Sequence, residues 1–276
     1  MKEVRLTYVS EGDPFLKRLC INAIELLTGR RRLEHLYNEI KAEAQKPVEI
    51  WPIAVEKLGV DLLYSKKQLR KIPDKGPIVF IANHPFGVLD GLALGALVQQ
   101  VRERFLFPVN SVLCQDEELN QFLLPIDFAP TKEAMKVNIL TKQKILSHLS
   151  DNGALAIFPA GGVATATGVF GKVEDLDWKR FVAKVICQSK ATVVPVYFYG
   201  QNSFLFQLVS QFSLTIRLAL LLNELNNKRN KPLRIEIGDP LPFETLELFK
   251  DRQKLLDFLK EKTFSLKKKN KIKEDN

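Results

Sequence analysis

The spacing of apolar residues changes along this chain, and each change marks an element. Phe15, Leu16, Leu19, Cys20, Ala23, Ile24 and Leu27 recur at helical spacing until Thr28-Gly29 interrupts them. Leu33, Leu36, Tyr37 and Ile40 form a second helical stripe, with Arg30-Arg31-Arg32 between the two. Trp51-Pro52 then opens a short helix that Gly59 closes. Residues 1–60 therefore read as a helical element built on a hairpin with a basic turn. Periodicity leaves two places for it: along lipid headgroups, or over one face of the core.

From residue 61 onward, short apolar runs alternate with helical patterns. Ile78 to Ala82 follows the turn signal Pro73-Asp74-Lys75-Gly76 and reads as an interior strand. Leu92, Leu94, Ala96, Leu97 and Val101 predict a helix over Gly91 to Val101, with Asp90 at its start. Helices near Asp116 to Leu123 and Val137 to Leu149 flank a short strand, Ile126 to Phe128, and a second buried strand begins at Ala154. Beyond it come a helix begun by Asp177, a strand from Thr192 to Tyr199 and a helical segment through about Asn226. A strand from Leu233 to Ile237 and a last helix from Glu244 to Lys262 follow. The pattern predicts an α/β fold, a mixed central sheet flanked by helices over residues 61–262, with the N-terminal helical hairpin before it. Residues 263–276 form a basic C-terminal tail.

The candidate chemistry collects at two strand ends, where α/β enzymes keep their sites. His84 lies just past the strand Ile78 to Ala82, and Asp90 lies where the next helix begins. A neutral imidazole there can take a proton from an alcohol, and a carboxylate on its other nitrogen fixes the tautomer and stabilises the imidazolium. The plain alternative gives Asp90 a helix N-cap role and His84 a satisfied place in a turn. The second strand end carries Phe158-Pro159-Ala160-Gly161-Gly162-Val163.

Asn83-His84-Pro85 through Asp90-Gly91, followed by Phe158-Pro159-Ala160-Gly161-Gly162, resembles the phospholipid and glycerol acyltransferase family. The similarity continues through the segments 124–134, 194–203 and 235–240, so that roughly residues 75 to 245 are covered in order. Within the family the chain looks closest to a bacterial branch labelled hemolysin-like, related to the ornithine-lipid acyltransferases. The resemblance implies a glycerolipid acyltransferase-like fold. It also implies transfer of an acyl chain from acyl-CoA or acyl carrier protein (ACP) to the hydroxyl of a lysophospholipid or lyso-ornithine lipid.

Carried over residue by residue, His84 and Asp90 are the catalytic pair. Asn83, Gly161, Gly162, Val163 and Lys132 are candidate substrate or oxyanion contacts, the glycine-loop residues through their N–H groups. Three departures stand out. Five residues separate His84 from Asp90 where most of the family has four, and Ala160 replaces the glutamate of the usual Phe-Pro-Glu-Gly motif. The intermediate motif offers Lys132 in place of an arginine. In the implied mechanism the acceptor hydroxyl loses its proton to His84 while attacking the thioester, with no covalent acyl-enzyme. A non-catalytic lipid-binding protein that kept the fold is the alternative.

Other chemistries find little support. There is no Gly-x-Ser-x-Gly elbow, and the three histidines, 35, 84 and 148, form no metal-ligand pattern, so neither a metal nor a cofactor is expected. Cys20, Cys114 and Cys187 are scattered and read as reduced thiols. The chain of 276 residues, 46% hydrophobic, is long enough for one large domain. Its charge of +9 sits at the ends: 15 basic and 11 acidic residues over 1–75, 11 and 11 over 76–213, 15 and 10 over 214–276. Basic ends around a neutral centre suit an anionic membrane surface or an acidic carrier protein. No nucleic-acid motif is present. No apolar run reaches the roughly 18 residues of a membrane span; the run Leu214 to Leu222 is short and carries Arg217. A cytoplasmic protein, peripheral on the inner face of the cell membrane, is the expectation.

Overall fold

A computed structural model of the protein describes residues 7, 9, 12, 14–27, 29–110, 114, 116, 118–127, 131–168 and 171–269. Its centre is the strand β2 (Ile78–Ala82), buried at every position because helices cover both faces. β2 pairs in parallel with β5 (Ala154–Ile157) and with β8 (Thr192–Phe198). β3 (Phe105–Asn110) and β4 (Leu123–Ile126) extend the parallel sheet beyond β5. On the other side β9 (Leu233–Ile237) runs antiparallel to β8 and carries the two-residue β1 (Leu62–Leu63) at the edge. The order is β1-β9-β8-β2-β5-β3-β4, a mixed sheet as the alternation predicts.

Period-two alternation divides the strand residues between two cores. Ile78, Phe80 and Ala82 of β2 join a cluster with α2 (Arg30–Glu43), α3 (Ile50–Lys57) and α5 (Val88–Val98). Val79 and Ile81 point the other way, toward α6 (Lys132–Ser150), α7 (Arg180–Ser189) and α11 (Arg252–Lys269). β9 alternates buried and half-buried residues, with Leu233, Ile235 and Ile237 inward.

The N-terminal hairpin divides its two expected roles between its helices. α2 covers the core through Leu33, Leu36 and Ile40. α1 (Phe15–Leu27) packs against α9 (Leu214–Asn227) and leaves Phe15, Leu16, Leu19 and Leu27 exposed. The three arginines belong to the first turn of α2 rather than to a linker; Arg30 is buried and pairs with the fully buried Glu25 at 3.0 Å.

Several element boundaries differ from expectation. The helix after Asp90 starts earlier, at Val88. A single 3-10 turn over Leu119–Gln121 replaces the helix expected near Asp116 to Leu123, whose end joins β4; Phe128 lies outside the described residues. α7 begins at Arg180, and Asp177 does not cap it. The last helical pattern is split into α10 (Phe243–Leu246) and α11. α11 continues past the expected start of the tail, with Thr263 and Leu266 buried, and residues 270–276 lie outside the described residues. No helix among the described residues is long and apolar enough to cross a membrane.

α3 and α5 approach closely because Gly95 has no side chain. A Cβ there would stand 2.4 Å from Cε3 of Trp51, whose indole packs against Phe105, Phe107 and Phe122. Gly95→Ala should therefore destabilise the fold by about 1–3 kcal/mol, the usual range for overpacking a core. A lower urea midpoint at unchanged m-value checks it.

Candidate functional site

The connections of the sheet open a crevice above β2 and β5. From β2 the chain runs through α5 to β3 on one side, while from β5 it runs through α7 to β8 on the other, and α5 and α7 lie on opposite faces. Ligands in open α/β sheets bind where connections diverge in this way, outside the strand carboxyl ends. His84 follows β2 and Phe158 follows β5, and the two rings stack with centroids 4.0 Å apart.

His84 and Asp90 come together: Nδ1 lies 3.0 Å from Oδ2 of a carboxylate that is fully buried. The same oxygen accepts the N–H groups of Phe86 at 2.7 Å and Gly87 at 2.9 Å. Asp90 thus fills both roles open to it at once, helix-start acceptor and partner of the histidine, and the positive end of α5 adds to its stability. The turn requires glycine at 87, where φ is 92° and a Cβ would press on Leu221 and Val163. With Asp90 on Nδ1–H, the lone pair falls on Nε2.

The backbone of His84 is anchored on both sides. Its N–H donates to Oδ1 of Asp175 at 3.0 Å, and its carbonyl accepts the N–H of Ala164 at 2.8 Å. Asp175 is buried, and its other oxygen accepts the indole N–H of Trp178 at 3.1 Å. Burial pushes the Asp175 carboxyl above its ordinary range, against the pull of the His84 N–H and the Trp178 indole.

The remaining candidates separate. Gly161, Gly162 and Val163 line the same cavity as His84. Gly161 sits in a left-handed turn at φ 68° and spends its N–H on the carbonyl of Phe158, whereas the N–H groups of Gly162 and Val163 have no acceptor among the described residues. Asn83 faces away from the cavity; its amide bridges β2 to β8 by donating to the carbonyl of Phe198 and accepting its N–H. Lys132, first residue of α6, is exposed and outside the cavity lining. Ser203 caps α8 (Phe204–Ser210) and donates to Glu224. Burial raises the Cys114 thiol, the opposite of an activated nucleophile.

The cavity measures about 740 Å³, within the range of small-molecule sites. Its walls are largely hydrocarbon: Leu33, Leu36, Ile40 and Trp51 from α2 and α3, Leu218, Leu221 and Leu225 from α9, and Phe107, Leu123 and Phe158 from the sheet side. Arg217 of α9 also lines it and donates from Nη2 to the carbonyl of Val163 at 3.0 Å. Sequence reasoning passed over two groups here. Asp175 carried no motif, and Arg217 showed only as the charge interrupting an apolar run.

An imidazole fixed by a buried carboxylate, with its basic nitrogen beside a hydrocarbon-lined cavity, is equipped to draw a proton from a substrate with a long apolar part. The Acyltransferase family model matches residues 44–272, and the chain belongs to that family. It is 29% identical over 228 residues to a lyso-glycine lipid O-acyltransferase of Phocaeicola vulgatus, covering 76% of this chain and 79% of that protein. A protein of the same name from Bacteroides thetaiotaomicron is also 29% identical, over 229 residues, 76% of this chain and 81% of its own. The crystal structure of the 1-acyl-sn-glycerophosphate (LPA) acyltransferase PlsC from Thermotoga maritima shares the fold. Its TM-score is 0.51 at 12% identity, over 91% of this chain and 97% of that one.

A carboxyl whose folded pKa lies above its unfolded one favours the folded state most when protonated, and that contribution is lost as pH rises through the folded value. Removing Asp175 removes this dependence. Asp175→Asn should therefore gain stability relative to the wild type as pH rises from about 4, the ordinary carboxylate value, toward neutrality. Urea midpoints of both proteins across that window measure it.

Proposed function

We propose that this acyltransferase moves a fatty acyl chain from acyl-CoA or acyl-ACP to the hydroxyl of a lysolipid, with His84 as general base. The observation that carries this reading is the imidazole of His84, held by Asp90 through Nδ1 and lining the apolar cavity. The acceptor hydroxyl gives its proton to Nε2 as its oxygen attacks the thioester carbonyl. The oxyanion that forms takes the N–H groups of Gly162 and Val163. That attack forms the C–O bond; collapse of the oxyanion restores the carbonyl and breaks the C–S bond, and the leaving sulfur takes the proton from the imidazolium. No residue is acylated, because the thioester is already activated.

The lyso-glycine lipid named in both relatives supports an amino-acid-headed acceptor, the class that also holds lyso-ornithine lipid, over a lysophospholipid. Purified protein, given palmitoyl-CoA or palmitoyl-ACP and a panel of lysolipids, should form a diacyl product with such an acceptor. His84→Ala should lower the rate by about 10²–10⁴, the usual worth of a positioned base. Wild-type turnover retained by the variant would remove His84 from the mechanism.

The same reading places the protein at the inner face of the cell membrane. The exposed Phe15, Leu16, Leu19 and Leu27 of α1, beside the exposed Arg31 and Arg32, suit an anionic headgroup layer. Phe15→Ser with Leu16→Ser should cut cosedimentation with anionic vesicles severalfold while leaving the unfolding free energy within about 0.5 kcal/mol of wild type, as for exposed sites. Unchanged cosedimentation would move the lipid contact elsewhere.

A further inference from the structure

Arg217 is a cation in an unusual place. It projects from α9 into the hydrocarbon-lined cavity, between the apolar side chains of Leu218 and Leu221 and the glycine loop. A Cβ built on Gly162 would lie 3.7 Å from its Nη2. No carboxylate among the described residues pairs with it, its Nε is buried without a hydrogen-bond partner, and burial lowers its pKa. A guanidinium held in such a wall without a counter-charge is costly to keep, because burying a charge loses hydration that only an anion or a full set of acceptors offsets. The carbonyl of Val163 supplies one acceptor.

Its position relative to His84 is fixed by two neighbouring residues. Val163 accepts from Arg217, and Ala164 donates to the carbonyl of His84. One short stretch of chain thus ties Arg217 to the backbone of His84, and both side chains line the same cavity. A substrate whose hydroxyl meets Nε2 of His84 therefore has its headgroup in the cavity that Arg217 also lines.

Resting on the transfer reading above, we propose that Arg217 is the receptor for a single carboxylate on the acyl acceptor, and so sets its headgroup specificity. One interior cation matches one negative charge. A dianionic phosphate would leave its second charge against hydrocarbon, since the other cation on the lining, Lys179, is exposed. A planar carboxylate also fits the fork of a guanidinium.

The test uses the full chain and two matched probes, N-(3-hydroxyhexadecanoyl)glycine and its glycinamide, with Kd measured by calorimetry without thioester and KM and kcat measured with it. Wild type should bind the acid at least about tenfold more tightly than the amide, the usual worth of a charge-assisted hydrogen bond. Arg217→Gln should abolish that preference while leaving the affinity for the amide alone, and Arg217→Lys should restore part of it. The KM for the acid should rise with kcat and the thioester KM nearly unchanged.

Equal wild-type affinity for acid and amide would overturn the proposal, as would equal weakening of both by Arg217→Gln. A rise in thioester KM alone would assign the guanidinium to a donor phosphate, and a fall in kcat at constant affinity would assign it to the reacting oxyanion; either overturns the proposal. Tighter Arg217-dependent binding of a phosphate-headed lysolipid would do the same. If Arg217→Gln does not fold, the Lys variant carries the comparison. Acid preference through Arg217 without acyl transfer would sink the transfer reading and leave the receptor standing; transfer without acid preference would do the reverse.

Discussion

The site hangs on one oxygen atom. Oδ2 of Asp90 has no access to water and collects the Nδ1–H of His84 and the N–H groups of Phe86 and Gly87. A charge so placed is tolerable only because three donors and the start of α5 face it. Each donor in turn constrains the chain. Two consecutive N–H groups can point at one oxygen only if the turn doubles back, which Gly87 permits at φ 92°. The five-residue spacing between His84 and Asp90 is taken up in that turn, where the intervening backbone supplies two of the three hydrogen bonds.

The parts of the fold that were legible in the sequence are those whose signal is local. Ile78–Ala82 and Leu233–Ile237 match the expected strands because the first is a short apolar run after a turn signal and the second alternates apolar with polar residues. β3 was missed because Phe105–Asn110 follows the charged Arg102-Glu103-Arg104 and contains Pro108, so neither alternation nor a clean apolar run marks it. β4 was misplaced because Leu123 and Leu124 serve equally well as the end of a helix. The amphipathic stripes of α1 and α2 looked equivalent, yet one lies on the core and the other leaves large apolar side chains in solvent. Period reports a face, and only packing reports what covers it.

The candidate site follows the same division. His84, Asp90 and the glycine loop sit within short motifs at strand ends and could be read directly. Asn83 belongs to its motif for a different reason: its partner is the backbone of Phe198, 115 residues away, so its amide serves strand pairing. Ala160 leaves the loop without the carboxylate common in the family. The second carboxylate that reaches His84, on its backbone N–H, comes from Asp175, from a segment with no motif. Arg217 reaches the cavity only because α9 folds back over it.

His84 is held from three sides of the sequence: its ring by Asp90, its carbonyl by Ala164 and its N–H by Asp175. The last two bracket the small antiparallel ribbon of β6 (Thr165–Ala166) and β7 (Val173–Glu174), which Gln207 of α8 and Gln211 just past its end tie down through Ala166. The orientation of one imidazole is therefore a property of about half the chain. A fragment ending before the ribbon would keep the histidine motif and its Asp90 partner yet lose the Asp175 anchor of the His84 backbone. Local opening of the ribbon would loosen the backbone of His84 while most of the sheet stayed intact, so the two losses need not share one free energy.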